Sequence, residues 1–118
     1  MSVSTDLRIV DNVFVKMMHL YYAGDKVEGH AHTFDHITLL AKGTVIMRAN
    51  GSAIQHSAPK LIVTPKGIVH EFEAAMPDCL LCCVHAIRDG DTVDSVAPAD
   101  ITAEQQADFL AQYPLTQP

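Results

Sequence analysis

The sequence predicts an all-β protein, an antiparallel sandwich or barrel that is followed by one short C-terminal helix. About eight short runs rich in β-branched and aromatic residues lie within residues 7–88, and turn signals built on Gly, Pro or Asn separate them at close spacing. A helical pattern appears only in the tail. At 118 residues the chain is long enough for one hydrophobic core but not for two, so we expect a single domain.

The predicted strands follow one another along the chain, most of them bounded by turn signals. They are 7–11, 13–23, 37–41, 44–49, 52–58, 60–64, 68–74 and 79–88. Asn50-Gly51 is a strong turn signal, because both residues tolerate the positive φ of a type I′ hairpin. The apolar residues of 13–23 do not alternate cleanly, which is typical of a strand covered on both faces.

After Pro98 the residue pattern changes from short β-prone runs to one typical of a helix. Thr102 and Gln105 have the spacing of a capping box, and one helix fits the residues that follow. The apolar stripe of this helix consists of Phe109, Leu110 and Tyr113. We therefore expect a β domain over 1–96 and a helical tail over 97–118 that packs on it.

Composition excludes several classes of partner and location. The net charge is −6 and the eight Lys and Arg residues form no basic cluster, so we expect no binding to nucleic acid or to a membrane. No apolar run reaches membrane-spanning length, and the N-terminal residues lack the apolar core of a signal peptide. The three cysteines, an odd number in one short stretch, do not suggest a disulfide framework and are interpreted as small core residues. The sequence therefore indicates a cytoplasmic protein.

A dense group of histidines lies between Gly24 and Gly43. On a β-strand, His30 and His32 point to the same side and can chelate one metal ion. His36 would lie roughly 13 Å farther along a straight strand, which is too far to share that ion. If His36 is a ligand, the chain must turn at 33–35 and start a new strand at His36.

A fourth histidine, His70, has a comparable setting, because it follows the turn signal at 65–67 and opens a predicted strand. In a curled sheet it can meet the first three histidines from the opposite wall. Four neutral imidazoles suit Zn, Cu, Fe or Ni and do not suit Mg or Ca. Strand parity places Phe72 on the face of His70 and assigns Glu71 and Glu73 to the opposite face. The residues expected to line the pocket are Phe72, Thr38, Leu40 and Tyr22.

These two stretches resemble the two motifs of the cupin superfamily. The first motif reads Gly, five residues, His-x-His, three or four residues, Glu, six residues, Gly, and this chain matches it from Gly24 to Gly43 with His36 in place of Glu. The second motif contains Pro-x-Gly, two residues and His, which residues 65–70 match. Pro59 and Ala74 replace a Gly and an Asn of that second motif.

The resemblance implies a double-stranded β-helix, or jelly-roll barrel, which holds one divalent transition metal ion such as Fe, Mn, Ni, Cu or Zn. The implied ligands are His30, His32, His36 and His70, and octahedral coordination leaves two open positions. Because His36 replaces a carboxylate, the ion keeps its full formal charge and should attract anionic substrates. The sequence identifies no catalytic side chain beyond these ligands. His19, His56 and His85 carry no motif, and only His85 is placed where it could reach a cavity.

The function that the resemblance favours is a metal-dependent enzyme, a dioxygenase-like activity on a small oxygen-chelating substrate. Two alternatives stay open: a non-catalytic metal-binding or sensor module, and a non-redox isomerase or lyase. Fold and motif do not choose among them. The resemblance also implies a homodimer, and an apolar content of 48% in so short a chain agrees with self-association.

Overall fold

The computed structural model describes residues 3–10, 12–28 and 36–86, which form nine β-strands. The strands are β1 Val3–Val10, β2 Val13–Leu20, β3 Lys26–Glu28, β4 His36–Lys42, β5 Thr44–Ala49, β6 Ser52–Ser57, β7 Lys60–Thr64, β8 His70–Ala74 and β9 Cys79–Ala86. The all-β prediction is confirmed. The predicted tail helix and the predicted turn at 33–35 lie outside the described residues.

The strands form two antiparallel sheets that face each other. One sheet has five strands in the order β1-β2-β9-β4-β7, and the other has four in the order β3-β8-β5-β6. The chain changes sheet at every connection except those between β1 and β2 and between β5 and β6. Such crossovers between two packed antiparallel sheets are those of a jelly roll.

The hydrophobic core lies between the two sheets. In β8 the burial pattern alternates strictly, so that every second side chain points to the other sheet. Phe72 is the largest fully buried side chain. The five-stranded sheet contributes Met18, Leu20, Leu40, Ile62, Cys79 and Leu81 to this core, and the four-stranded sheet contributes Val45, Phe72 and Ala74.

Several sequence signals are realised in the strand boundaries. Asn50 and Gly51 have φ of 55° and 76°, as a type I′ hairpin requires. A new strand starts at His36, as the spacing requires if His36 is a ligand. The predicted strand 13–23 ends earlier, at Leu20, because residues 21–24 form a turn. No strand was predicted at β3, which has only three residues and is held by pairing with β8.

Strand register defines two ends of this sandwich. His36 pairs with Thr64, and the neighbouring residue Ile37 pairs with Val84 of β9. Only residues 65–69 separate Thr64 from His70, so His70 lies at the same end. We call this the site end. The turn at Gly43 lies at the opposite end.

Gly43 provides a test of how tightly the opposite end is packed. Its φ is +90°, and a Cβ at this position would lie 2.6 Å from Cys79 Sγ and 3.1 Å from Cys79 Cα. Gly24 has nearly the same φ, +91°, but no atom within 4 Å of its Cβ position. Gly43→Ala should therefore lower the free energy of unfolding by about 1–3 kcal/mol more than Gly24→Ala. Urea unfolding of both variants measures this difference, and equal losses would contradict it.

Candidate metal site

Of the four predicted ligands, only His70 has a side chain that the structure describes. It begins β8 and is 5% exposed, with its ring on the inner face. Its Nδ1 lies 3.4 Å from the carbonyl oxygen of Ile68. A carbonyl oxygen only accepts, so this hydrogen bond requires a proton on Nδ1, and in the neutral ring it leaves Nε2 as the acceptor nitrogen. This is the tautomer of a metal-ligating histidine whose second nitrogen is held by the backbone.

An aromatic contact fixes the plane of the same imidazole. The rings of His70 and Phe72 meet edge to face, with centroids 5.6 Å apart and an interplanar angle of 80°. Phe72 is itself 2% exposed and belongs to the core. The core therefore supports the orientation of His70, as a preorganised ligand requires.

The backbone of His36 lies next to a buried hydroxyl. His36 pairs with Thr64 across β4 and β7, and position 36 is in register with the buried residue Thr38. Thr64 is 2% exposed, and its Oγ1 makes no hydrogen bond to any residue that the structure describes. A buried hydroxyl without a partner is costly unless water or a ligand reaches it. The site end thus offers a hydrogen-bonding group beside a predicted ligand.

His85 is a further imidazole at the site end. It is 8% exposed and pairs with Phe14, and the adjacent residue Val84 pairs with Ile37 of β4. His85 lies four residues after the buried Leu81 on the same strand, so both side chains point to the inner face. Sequence reasoning left its position open because parity alone does not say which face of β9 is covered. Thr64 and Phe14 were not predicted for the site at all.

The other predicted lining residues divide into two groups. Thr38, Leu40 and Phe72 lie on the inner face, as parity predicts, and Thr38 Oγ1 is 3.3 Å from Cys83 Sγ. Their contact with a bound molecule stays a prediction. Tyr22, which was expected to line the pocket, lies elsewhere. Its side chain is 62% exposed, and it follows the end of β2 at the end of the sandwich opposite the site end. The cause is the early end of β2, which leaves Tyr22 in a turn.

The acidic residues near His70 face away from it. Arg48 forms ion pairs with Glu73 at 2.6 Å and with Glu71 at 3.6 Å, and Lys26 lies 3.8 Å from Glu71. The prediction that these two carboxylates lie opposite His70 is confirmed. The buried polar side chains described at the site end are Thr38, Thr64, His70 and His85, which include no carboxylate.

The remaining predicted ligands cannot be placed by the described part of the chain. His30, His32 and the side chain of His36 lie outside it. Within residues 3–10, 12–28 and 36–86, no three His, Cys, Asp or Glu side chains gather in a way that could hold a metal ion. The four-histidine set therefore stays a prediction. The donors that are described, an oriented imidazole and an unpaired hydroxyl, fit a transition metal with its bound water or substrate.

His56 is a buried imidazole with a different role. It lies on β6 opposite Val45, away from the site end, and neither ring nitrogen has a hydrogen-bond partner within the described residues. Burial, and secondarily the charge of Lys60, lowers the pKa of His56. The folded protein therefore keeps His56 neutral at a pH where the unfolded chain takes up a proton, and this opposes folding as the pH falls through about 6.5.

The expected result is a weaker pH dependence of stability in His56→Leu. The free energy of unfolding of the native protein should fall more between about pH 7.5 and about pH 5.5 than that of the variant. Urea unfolding at both values, with a chelator present so that metal release contributes to neither, measures the two slopes. Parallel slopes would show that His56 is protonated equally in the folded and unfolded states.

Comparison with solved structures identifies the fold. A cupin superfamily protein from Desulfitobacterium hafniense aligns with a TM-score of 0.64 at 14% sequence identity, covering 74% of this chain and 79% of that one. KdgF from a Halomonas species aligns with 0.63 at 18% identity, covering 73% and 79%. A predicted oxalate decarboxylase from Thermotoga maritima aligns with 0.63 at 19% identity, covering 73% and 81%.

The chain thus has the fold of the cupin superfamily, a double-stranded β-helix of two antiparallel sheets. The identities are too low to carry more than the fold. No family model matches the sequence, and no curated protein matches it. Within the described residues, no helix is long and apolar enough to cross a membrane.

Proposed function

We propose that this chain is a metal-dependent enzyme of the cupin type, with a dioxygenase-like activity on a small substrate that chelates through oxygen atoms. The observation that carries the proposal is His70, a buried imidazole whose Nδ1 is turned to the Ile68 carbonyl and whose Nε2 is its acceptor nitrogen. It supports a site in which His30, His32, His36 and His70 hold one divalent transition metal ion. The metal, when bound, would supply Lewis-acid and redox chemistry.

The polar groups of the site end support an anionic oxygen substrate. Its described buried polar side chains are hydroxyls and imidazoles, with no carboxylate to repel an enolate or carboxylate. The Thr64 hydroxyl can donate to one substrate oxygen, which would satisfy the one buried side-chain oxygen that has no hydrogen-bond partner among the described residues of this end. His85 adds an imidazole on the same inner face. Phe14 and Phe72, both buried, would form the apolar wall of such a pocket.

A non-redox reaction is the second candidate, and a predicted oxalate decarboxylase shares the fold of this chain. Such a lyase or isomerase would use the same anionic oxygen contacts without dioxygen. His85 favours either enzyme over a binding module, since it supplies a polar side chain at the site end beyond the predicted ligands. A binding module would need only the ligands.

Elemental analysis of freshly purified protein tests the proposal. The expected result is about one transition metal ion per chain, followed by dioxygen uptake when a catechol or a β-dicarbonyl acid is added. EPR identifies the oxidation state of the ion and whether these compounds displace its water.

The outcomes separate the candidates. Fe, Mn, Cu or Ni with dioxygen uptake supports the dioxygenase. Zn alone, without redox activity, overturns the dioxygenase and leaves the lyase or isomerase. Retention of a ligand without turnover identifies a binding module. Protein that takes up no transition metal at neutral pH overturns the metal site itself.

A further inference from the structure

The inner face of the five-stranded sheet is polar near the site end and apolar farther from it. Strand pairing across β2, β9 and β4 aligns a buried apolar row, which consists of Met18, Leu81 and Leu40. The row two residues closer to the site end consists of Lys16, Cys83 and Thr38. We call this second set the polar row. Polar side chains on an inward face, in front of a closed apolar row, are typical of the floor of a binding pocket.

Lys16 is the charged member of the polar row. It pairs with Leu7 on β1 and with Cys83 on β9, and residues that pair across strands share a face of the sheet. Leu7 is buried, and Cys83 Sγ lies 3.3 Å from Oγ1 of the fully buried Thr38. The lysine side chain therefore leaves the backbone on the inner face.

A lysine at this position is unusual, because an ammonium group is costly to remove from water. Lys16 is half-buried, whereas Phe14 and Met18, its neighbours on the same face of β2, are 3% and 2% exposed. A methionine would fill the position without a charge, as Met18 does two residues farther along the strand. Packing does not account for a cation here, whereas the binding of an anion does.

We propose that Lys16 binds a second carboxylate of the substrate and thereby determines the specificity of the site. The inference rests on the proposed function, which supplies the metal ion for the other end of the substrate. The substrate class that follows is a small diacid, in which one acid group binds the ion and the other pairs with the Lys16 amine. Such a dianion needs a local cation, because the chain has a net charge of −6.

Strand geometry gives the size of this substrate. Lys16 on β2 and position 36 on β4 are separated by β9 and by one step of two residues, so their Cα atoms are about 12 Å apart. The amine of an extended lysine lies about 6 Å from its Cα, which leaves about 6 Å between the amine and position 36. The carboxylates of an extended diacid of about four carbons span a similar distance.

The inner-face residues around Lys16 suit an acid group. On β2, β9 and β4, the described side chains of the two rows nearest the site end are Phe14, Lys16, Cys83, His85 and Thr38. None of them is a carboxylate. An acid group beside Lys16 would therefore meet a cation, a hydroxyl and an imidazole, and no negative charge among these residues.

Isothermal titration calorimetry of the zinc-loaded protein with two matched acids tests the proposal. Succinate and butyrate have the same number of carbons, and only succinate carries a second carboxylate. Zn²⁺ has no redox chemistry, so binding is measured apart from any reaction with dioxygen. The native protein should bind succinate about tenfold or more tightly than butyrate, as expected for a hydrogen bond between charged groups.

Two lysine positions locate the effect. Lys16→Met should bind succinate as weakly as butyrate and leave the butyrate affinity unchanged, and Lys16→Arg should keep part of the preference. Lys60 is the matched control, since it pairs with the buried residue Leu40 on the inner face but lies toward the opposite end. Lys60→Met removes the same charge and should keep the native preference.

Reductive methylation followed by mass spectrometry gives a measurement on the amine itself. Succinate should slow the methylation of Lys16 in the zinc-loaded protein, and butyrate should not. The exposed Lys60 serves as the internal reference, whose rate neither acid should change.

The outcomes separate this proposal from the proposed function. Protein that takes up no zinc contradicts the metal site, and this proposal with it. Zinc-loaded protein that binds succinate no more tightly than butyrate overturns the role of Lys16 alone. A preference that survives Lys16→Met would assign the second carboxylate to another group. Equal loss of the preference in Lys16→Met and Lys60→Met would show that binding responds to net charge and not to this position.

Discussion

Replacement of His70 by alanine is expected to abolish metal binding without unfolding the protein. His70 is the one predicted ligand whose side chain the structure describes, and its Nδ1 lies 3.4 Å from the carbonyl oxygen of Ile68. Losing one of four imidazoles removes a bond to the ion, and His70 is the one predicted ligand that the structure describes on the four-stranded sheet. We expect the metal content of His70→Ala, measured after dialysis at neutral pH, to fall from about one ion per chain to near zero.

Two other buried histidines provide matched controls. His85 is 8% exposed and lies at the site end, whereas His56 is 9% exposed and lies toward the opposite end. His85→Ala and His56→Ala should both keep the metal, since neither matches a ligand position of the two motifs. Loss of metal in His85→Ala would make His85 a ligand and would contradict the assignment. Retention in His70→Ala would remove His70 from the site.

Truncation of Phe72 is expected to cause the largest loss of stability. Phe72 is the largest fully buried side chain and lies between the two sheets. Phe72→Ala leaves a cavity that the surrounding strands can fill only in part, so the free energy of unfolding should fall by about 3–5 kcal/mol. This is a large share of the roughly 5–15 kcal/mol of a typical domain. Urea unfolding at neutral pH measures the loss.

The controls for Phe72 separate packing from chemistry. Phe72→Leu removes less volume and should cost less, whereas Val69→Ala, at a 63% exposed position, should change stability by no more than about 0.5 kcal/mol. Because the Phe72 ring supports the His70 ring, Phe72→Leu should also bind metal more weakly while remaining folded. A loss in Phe72→Ala no larger than that in Val69→Ala would contradict the core position.

Local sequence signals account for much of the observed fold. The strand runs and the Asn50-Gly51 hairpin follow from backbone preferences that act within a few residues. β4 starts at His36, where the ligand spacing requires a new strand if His36 binds the ion. Parity within β8 separated His70 from its two neighbouring carboxylates, because successive side chains in a strand point to opposite faces.

Parity fixes which residues share a face but not which face is covered. That depends on the sheet that packs against it, so the position of His85 could not be read from its strand alone. For the same reason, the sequence does not show that the Thr64 hydroxyl is buried without a hydrogen-bond partner beside His36. That position depends on the pairing of β7 with β4. Tyr22 was misplaced because its strand ended in a turn that hydrogen bonds between distant segments help to stabilise, among them Gly24 N to Ala74 O.

The sequence by itself determined that the chain is an all-β domain with four histidines at two motif positions. Periodicity, turn chemistry and ligand spacing are local properties, so they can be read from the sequence without any information on distant contacts. Tertiary structure decided that His70, His85 and Thr64 share one end of the sandwich. The physical reason is that strand pairing joins residues far apart in sequence, and only the packed sheets decide which faces meet the core.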